Sequence, residues 1–538
     1  MEREPDKPET FIENYRRALV NPTLQRALAT ATGKALDSRQ EAVAHVGEES
    51  WERLRARARV IKEHTIENLD FYLAQLAENV ERSGGHVFWA QTAEDARRYI
   101  VELAARRGNK VAVKSKSMMT EEIELNRALE AAGIEAVETD LGEYIVQLAG
   151  ERPSHINMPA IHKTRGDVAE LFTEKLGVEL DGDIAQMAGL ARRVLRRRFA
   201  EAGMGITGVN YAVAETGTVV LVENEGNIRL TNSLPRVHVA LMGIEKVIPR
   251  LEDLDVFLKL LSRSASGQKL CSYLSFLTGV KSSQSEEGPD EFHLVILDNG
   301  RTEMLANPLL RESLYCIRCG ACLNVCPVYQ KIGGHAYGWV YPGPIGAVLT
   351  PQMIGRERAA ALPFASSLCG ACRDVCPVKI NLPEMLLHLR HEIKEGGRAA
   401  TSRDARGAGT RLGNHQAVVA DAAGADVNGG GRAFVAPLKE RAADFLERAI
   451  FRLWTAAMKT PLRYRVAAHA ARAAQALFGR RNEDGVRVLR VSRRAASRGL
   501  PRFAARSFRE RWPELMRNAE GSRGGESRTG ERSSGSRR

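Results

Sequence analysis

Seven of the eight cysteines in this 538-residue chain fall between residues 316 and 376. The first four form Cys316-Ile-Arg-Cys319-Gly-Ala-Cys322-Leu-Asn-Val-Cys326-Pro327, which is C-x2-C-x2-C-x3-C-P. The remaining three form Ser366-Ser-Leu-Cys369-Gly-Ala-Cys372-Arg-Asp-Val-Cys376-Pro377, the same pattern with Ser366 in the first position. Such spacing lets one loop offer three thiolates to an iron–sulfur cluster, while the cysteine before proline ligates the other cluster of a two-cluster module. A disulfide framework belongs to small secreted chains. A zinc ribbon needs two C-x2-C pairs, but neither a third cysteine nor a proline after the fourth. The crossing rule therefore gives Cys316, Cys319, Cys322 and Cys376 to one [4Fe–4S] cluster. It gives Cys326, Cys369 and Cys372 to a second, either [4Fe–4S] with its fourth iron on Ser366 or open to an outside ligand, or [3Fe–4S]. Cys271, in Leu270-Cys271-Ser272-Tyr273, is expected to be a buried structural thiol. The aromatic and glycine-rich segment 333–346 between the motifs is expected to shield a cluster from water, with His335 a packing neighbour and not a ligand.

A chain of this length holds more than one folded unit. Its formal net charge of +12 looks like that of a nucleic-acid binder until the charge is located. Residues 480–538 carry 17 Arg, no Lys and 7 acidic residues, so the excess sits in a Ser/Gly/Arg-rich tail and the body is nearly neutral. A solvated tail is expected there, and no specific nucleic-acid partner. The first residues are charged, without the apolar core of a secretory leader. No run of about 18 apolar residues occurs. The expected location is cytoplasmic, with a peripheral membrane contact left open by an apolar stripe at Phe445, Leu446, Ala449, Ile450, Leu453 and Trp454.

Residues 1–85 read as a helical segment, with Leu69, Tyr72, Leu73 and Leu76 at helical spacing. Residues 86–300 alternate short apolar strands with amphipathic helices: Val111–Val113, Ile134–Val137, Thr218–Val222, Val237–Leu241 and Phe292–Leu297 read as strands, and Thr120 as a helix N-cap. That alternation predicts an α/β domain with a largely parallel sheet. Neither G-x-G-x-x-G after a strand nor G-x-x-x-x-G-K-[ST] occurs, so a nucleotide site of those kinds is unsupported. The cysteine domain spans 301–395, a flexible linker 396–437, a helical extension 438–512 and the tail 513–538.

The cysteine motifs, with Gly-Gly-His-Ala-Tyr-Gly-Trp-Val-Tyr at 333–341 and Gly-Pro-Ile-Gly-Ala-Val-Leu-Thr-Pro at 343–351, resemble the lactate utilization protein B family. This family is the iron–sulfur subunit of a three-component L-lactate utilization system. The likeness continues upstream in Lys114-Ser-Lys116-Ser-Met118, Glu138-Thr-Asp140-Leu-Gly-Glu-Tyr144, Glu151-Arg-Pro-Ser-His155 and Ala214-Glu215-Thr-Gly-Thr218. It spans roughly 60–390 and includes Ser366. The resemblance implies an α/β domain like the CoA-transferase and ribose-5-phosphate-isomerase group, an α-helical ferredoxin-type two-cluster domain and a helical C-terminal extension. It implies electron transfer in the oxidation of L-lactate to pyruvate, in a complex with two other lactate-utilization proteins and an electron acceptor. An alternative makes the α/β domain itself an acyl- or CoA-transferase-like enzyme, with the clusters structural or regulatory. Glu215 in Glu-Thr-Gly resembles a nucleophilic carboxylate of that chemistry, and Lys114, Lys116, His155 and His162 are candidates to line an anion site.

Overall fold

The computed structural model describes residues 10–180, 182–281 and 288–395, and beyond them 449, 452–478, 480–481, 487–488, 508, 511–514 and 516–517. The chain divides into two units, Met1–Thr410 and Arg411–Arg538.

In the first unit, four helices precede the sheet: Phe11–Leu19, Pro22–Val46, Glu48–Glu67 and Leu69–Arg82. Asn21 caps the second by accepting from Leu24 N at 3.0 Å, with Pro22 at a position where its missing N–H costs nothing. Gly47, at φ +86°, turns the chain into the third. Ten strands follow: β1 His86–Ala90, β2 Val111–Lys114, β3 Glu135–Glu138, β4 Met204–Gly208, β5 Tyr211–Val213, β6 Thr218–Glu223, β7 Val237–Gly243, β8 Val247–Ile248, β9 Tyr273–Leu277 and β10 Glu291–Leu297.

Six of them form a sheet in the order β1-β10-β7-β4-β2-β3, parallel throughout. A parallel sheet is covered on both faces, so its inner strands read as continuous apolar runs. Every residue of β7 is buried. One face packs on the helix Ala93–Arg106 through Ile100 and Leu103. At the β2–β3 edge, Val113 and Val137 meet Phe172, Leu195 and Phe199 from the helices Arg165–Leu176 and Ile184–Glu201.

Two local readings of the sequence are corrected. Thr218–Val222 lies outside the parallel sheet, in a second sheet ordered β8-β5-β6-β9. Only residues 214–217 connect β5 to β6, too few for a parallel crossover, so the two pair antiparallel. Thr120 is not an N-cap. Ser117 caps the short helix Met118–Glu122, and Thr120, inside it, accepts a hydrogen bond from buried Lys114 at 2.7 Å.

The largest apolar core joins the N-terminal helices (Leu28, Trp51, Leu76), the second sheet (Val213, Val219, Leu221) and the cysteine region (Tyr329, Ile345, Leu386). In the second unit, residues 452–458 and Pro461–Phe478 are helical and Arg480–Arg481 pairs with Arg487–Val488. Leu453 and Trp454 of the expected stripe are exposed. Phe445, Leu446 and Ile450, the linker at 396–437 and almost all of the tail lie outside the described residues. Among the described residues, no helix is long and apolar enough to cross a membrane.

Candidate metal centre and the adjoining cleft

The two cysteine motifs fold alike, position by position. Arg318 and Leu368, each just before the second position, have left-handed backbone (φ +59° and +56°), and so do Gly320 and Gly370 after it. Short helices follow each glycine, Ala321–Asn324 and Ala371–Val375, and pack on one another. Arg318 N donates to Cys316 Sγ at 3.4 Å, and in the same place Leu368 N donates to Ser366 Oγ at 3.1 Å. The hydroxyl of Ser366 thus occupies the turn position that a thiol occupies in the first motif. Tyr329 N donates to Cys326 Sγ at 3.5 Å and Ile380 N to Cys376 Sγ at 3.4 Å.

Cys316, Cys319, Cys322 and Cys376 line one small cavity, otherwise walled by apolar residues including Ile156, Ile317, Ile345 and Leu382. Cys376 comes to this cavity from the second motif. Cys326, Cys369 and Cys372 lie outside that lining and near enough to one another for their charges to interact, and Cys369 is exposed. Burial raises the Cys319, Cys322 and Cys326 thiols, and burial with the neighbouring Cys326 pushes Cys372 up to about 12. Burial pushes Cys376 up to about 11. Four thiolates cannot coexist in an apolar cavity without compensating positive charge, and all of these cysteines are free of disulfides. The donor set fits an iron–sulfur cluster. Cys271 stands apart; it is half-buried on the wall of a separate cleft, which corrects the expectation of a buried core thiol.

That cleft, of about 410 Å³, opens beyond the carboxyl ends of β2, β4 and β7, the usual ligand position in parallel α/β sheets. Lys116, Asn210, Lys246, Arg318 and Tyr341 line it. Arg318, inside the Cys316–Cys319 loop, is buried and reaches Glu245 Oε1 through Nη2 at 3.2 Å. Its guanidinium lies 4.8 Å from the Tyr341 ring, and its Nε and Nη1 have no hydrogen-bond partner. Glu245 also pairs with Arg301 Nε at 2.8 Å, and Arg301 is bidentate to Glu122 at 2.9 and 2.8 Å. Burial alone would raise Glu245; Arg301, Arg318 and Lys246 outweigh it and hold the carboxyl at about 2. Burial, with Arg318 nearby, brings Lys246 down to about 8.

Of the other candidates, Lys114 is a satisfied core cation, paired with Glu138 at 2.7 Å and Glu121 at 3.1 Å. His155 is buried, and its Nδ1 accepts from Asn157 N and Met158 N at 3.0 and 3.2 Å. Its proton is then on Nε2, which donates to Asn324 Oδ1 at 3.1 Å. Burial and Lys116 push it down to about 3, so this neutral ring is a joint between the α/β domain and the first ligand loop. His162 hydrogen-bonds Glu151 Oε2 and Ser154 Oγ, both at 2.7 Å, and His335 hydrogen-bonds the Arg152 carbonyl at 2.6 Å. Neither lines the cleft. Glu215 is exposed on the β5–β6 turn, accepts from Leu251 N at 3.0 Å and lies outside the cleft lining.

Sequence reading missed Lys246 and Arg318, together with Arg55 and Arg59. The last two are on the Glu48–Glu67 helix and donate to the Cys376 and Lys379 carbonyls at 2.9 Å. A basic residue inside C-x2-C was the visible signal for Arg318; the others carry none.

A parallel α/β domain closing against paired cysteine loops defines a class of two-cluster iron–sulfur protein. Residues 73–297 match the LUD domain family and residues 312–380 the 4Fe-4S dicluster domain family. The chain is 47% identical over 391 residues to lactate utilization protein B of Shouchella clausii, covering 72% of this chain and 82% of that one. Its identity to the Bacillus cytotoxicus protein of that name is 50% over 372 residues (69% and 78% covered), and to the Geobacillus sp. protein 49% over 386 residues (72% and 81% covered). The chain belongs to the lactate utilization protein B family.

Proposed function

We propose that this chain carries two iron–sulfur clusters and relays electrons in the oxidation of L-lactate to pyruvate, acting in the cytoplasm with two further lactate-utilization proteins and an electron acceptor. Cys316, Cys319, Cys322 and Cys376 would hold the first cluster as [4Fe–4S], and Cys326, Cys369 and Cys372 the second, with Ser366 at its fourth position. The observation that carries this reading is the single cavity lined by three thiols of one motif and one of the other. A bound iron–sulfur cluster takes up and releases electrons singly. The residues around the first site exclude water and supply N–H donors and buried positive charge, which favour the more negative, reduced state. At the second site, exposed Cys369 offers a point of contact for a partner. On this reading residues 86–300 form a domain of the CoA-transferase and ribose-5-phosphate-isomerase kind and 301–395 the two-cluster domain, with 1–85 a helical segment covering the latter.

Iron and sulfide determination with EPR on anaerobically purified protein tests the reading. About eight irons per chain are expected for two [4Fe–4S] clusters and about seven if the second is [3Fe–4S]. Zinc alone, or one [2Fe–2S] signal, overturns it. Ser366→Cys is expected to change the EPR signal of one cluster and leave the other as it was. If both signals are unchanged, the side chain at 366 does not face the cluster.

A further inference from the structure

The mechanism above leaves the cleft at the carboxyl ends of β2, β4 and β7 without a role. Three cations line it: Lys116, Lys246 and Arg318. Arg318 and Lys246 are about nine-tenths buried, at 9% and 8% exposed. Two guanidinium nitrogens of Arg318 have no partner. Neither lysine makes an ion pair or a hydrogen bond among the described residues. The carboxylates that share the cleft wall are already engaged. Asp140 accepts from Gly142 N at 2.9 Å and Glu143 N at 3.2 Å, Glu225 from Leu141 N at 3.1 Å, and Glu223 from Ile228 N and Arg229 N at 2.7 and 3.0 Å. Glu245 satisfies only one nitrogen of Arg318, so two guanidinium nitrogens and both ammonium groups face an open volume with donors unfilled, a cost that an arriving anion relieves.

We propose that this cleft binds a small organic anion, its carboxylate or phosphate held by Arg318 and Lys246 with Lys116 adding charge, against the ligand loop of the first cluster. About 410 Å³ is within the range of small-molecule sites and exceeds what a bare oxyanion fills, so the ligand has a body. Polar Asn157 and Asn210 on the wall suit a hydroxylated or heteroatom-bearing one. Arg318 belongs both to this site and to the Cys316–Cys319 loop, which couples occupancy to the charge of the cluster. Reduction adds a negative charge beside Arg318, so the anion binds the oxidised protein more tightly. By reciprocity, the bound anion lowers the midpoint potential of that cluster. This coupling rests on the cluster assignment; the anion site itself does not.

The test is calorimetric titration of the anaerobically purified full-length protein with L-lactate, pyruvate, inorganic phosphate and AMP, beside iron and sulfide counts. One-to-one binding of a carboxylate probe, or of a phosphate probe, supports the site and distinguishes the two sources. Lys246→Gln is expected to weaken that binding about tenfold, as loss of a charge-assisted contact does, at unchanged iron content. Lys116→Gln is expected to weaken it less. A tenfold preference for the oxidised form corresponds to a potential lowered by about 59 mV for a one-electron couple. The inference is overturned if none of the four probes binds at about 1 mM, the weak end of small-ligand affinity. Variants that bind like the wild type overturn it as well. A protein without iron sinks the cluster assignment instead, and leaves anion binding measurable.

Discussion

Replacing Arg301 with methionine removes the one side chain that bridges Glu122 and Glu245. All three side chains have no exposed surface. Arg301 gives two hydrogen bonds to Glu122 (2.9 and 2.8 Å), one to Glu245 (2.8 Å) and one to the Asp298 carbonyl (3.0 Å). Breaking a buried pair by removing one partner costs about 3–5 kcal/mol, because the remaining charge is left without compensation. Glu122 keeps Asn299 at 2.8 Å and the Tyr341 hydroxyl at 2.7 Å, and Glu245 keeps Arg318. These partners confine the loss to that range despite two stranded carboxylates. The loss is also pH-dependent. With Arg301 gone, burial raises the Glu122 carboxyl above its unfolded value, so the penalty is absent in acid, where both states are protonated. It appears as pH rises through the unfolded value of about 4.5 and grows until the folded group ionises. Urea denaturation of wild type and Arg301→Met at pH 7.5 and 5.5, followed by circular dichroism, reads both effects in the transition of the α/β domain. The double variant with Glu122→Gln should recover more than about 1 kcal/mol of the loss. A single variant within about 0.5 kcal/mol of wild type at pH 7.5, or strictly additive losses in the cycle, would refute the reasoning.

His238, buried in β7 with Nε2 2.9 Å from Thr207 Oγ1, is pushed by burial down to about 3. The unfolded chain takes up this proton below pH 6.5 and the folded chain does not, so stability falls as pH drops through 6.5, by about 1.4 kcal/mol per pH unit. His238→Gln should flatten that fall between pH 6.5 and 5.5; an identical slope sinks the assignment. A β-carbon on Gly334 would lie 1.8 Å from the Ser154 carbonyl oxygen, whereas one on Gly33 meets nothing within 4 Å. Gly334→Ala should therefore lower the melting temperature, with a loss of about 3 kcal/mol. Gly33→Ala, inside the helix Pro22–Val46, should gain up to about 1 kcal/mol. Equal melting temperatures for the two variants would contradict the packing described. On the proposed function, Glu215→Gln should leave lactate-dependent electron flow unchanged when the chain is assayed with its proposed partners; a loss would return that carboxylate to the reacting groups.

The two cysteine loops were legible in the sequence because their thiols lie close along the chain, and loop geometry follows from local spacing, glycines and the turn before each second cysteine. The N-terminal helices and most strands of the parallel sheet were legible for a related reason: periodicity records which face is covered. Thr218–Val222 was assigned to the wrong sheet because an apolar strand carries no mark of its partner. Lys114, Lys116, His155 and His162 looked equivalent as candidates. Lys114 proved a core cation, His155 a neutral joint and His162 a partner of Glu151, and only Lys116 faces the cleft.

Sequence by itself determined the chemistry this chain can hold: seven thiols and a serine in two matching loops, and an α/β domain before them. Tertiary structure decided what surrounds that chemistry. Arg55 and Arg59 meet the chain at Cys376 and Lys379 from a helix more than 300 residues upstream, and Lys246 and Arg318 line one cleft. These contacts join residues far apart in the chain, where spacing has no hold; they exist only because one apolar core draws the helices, the second sheet and the cysteine loops together.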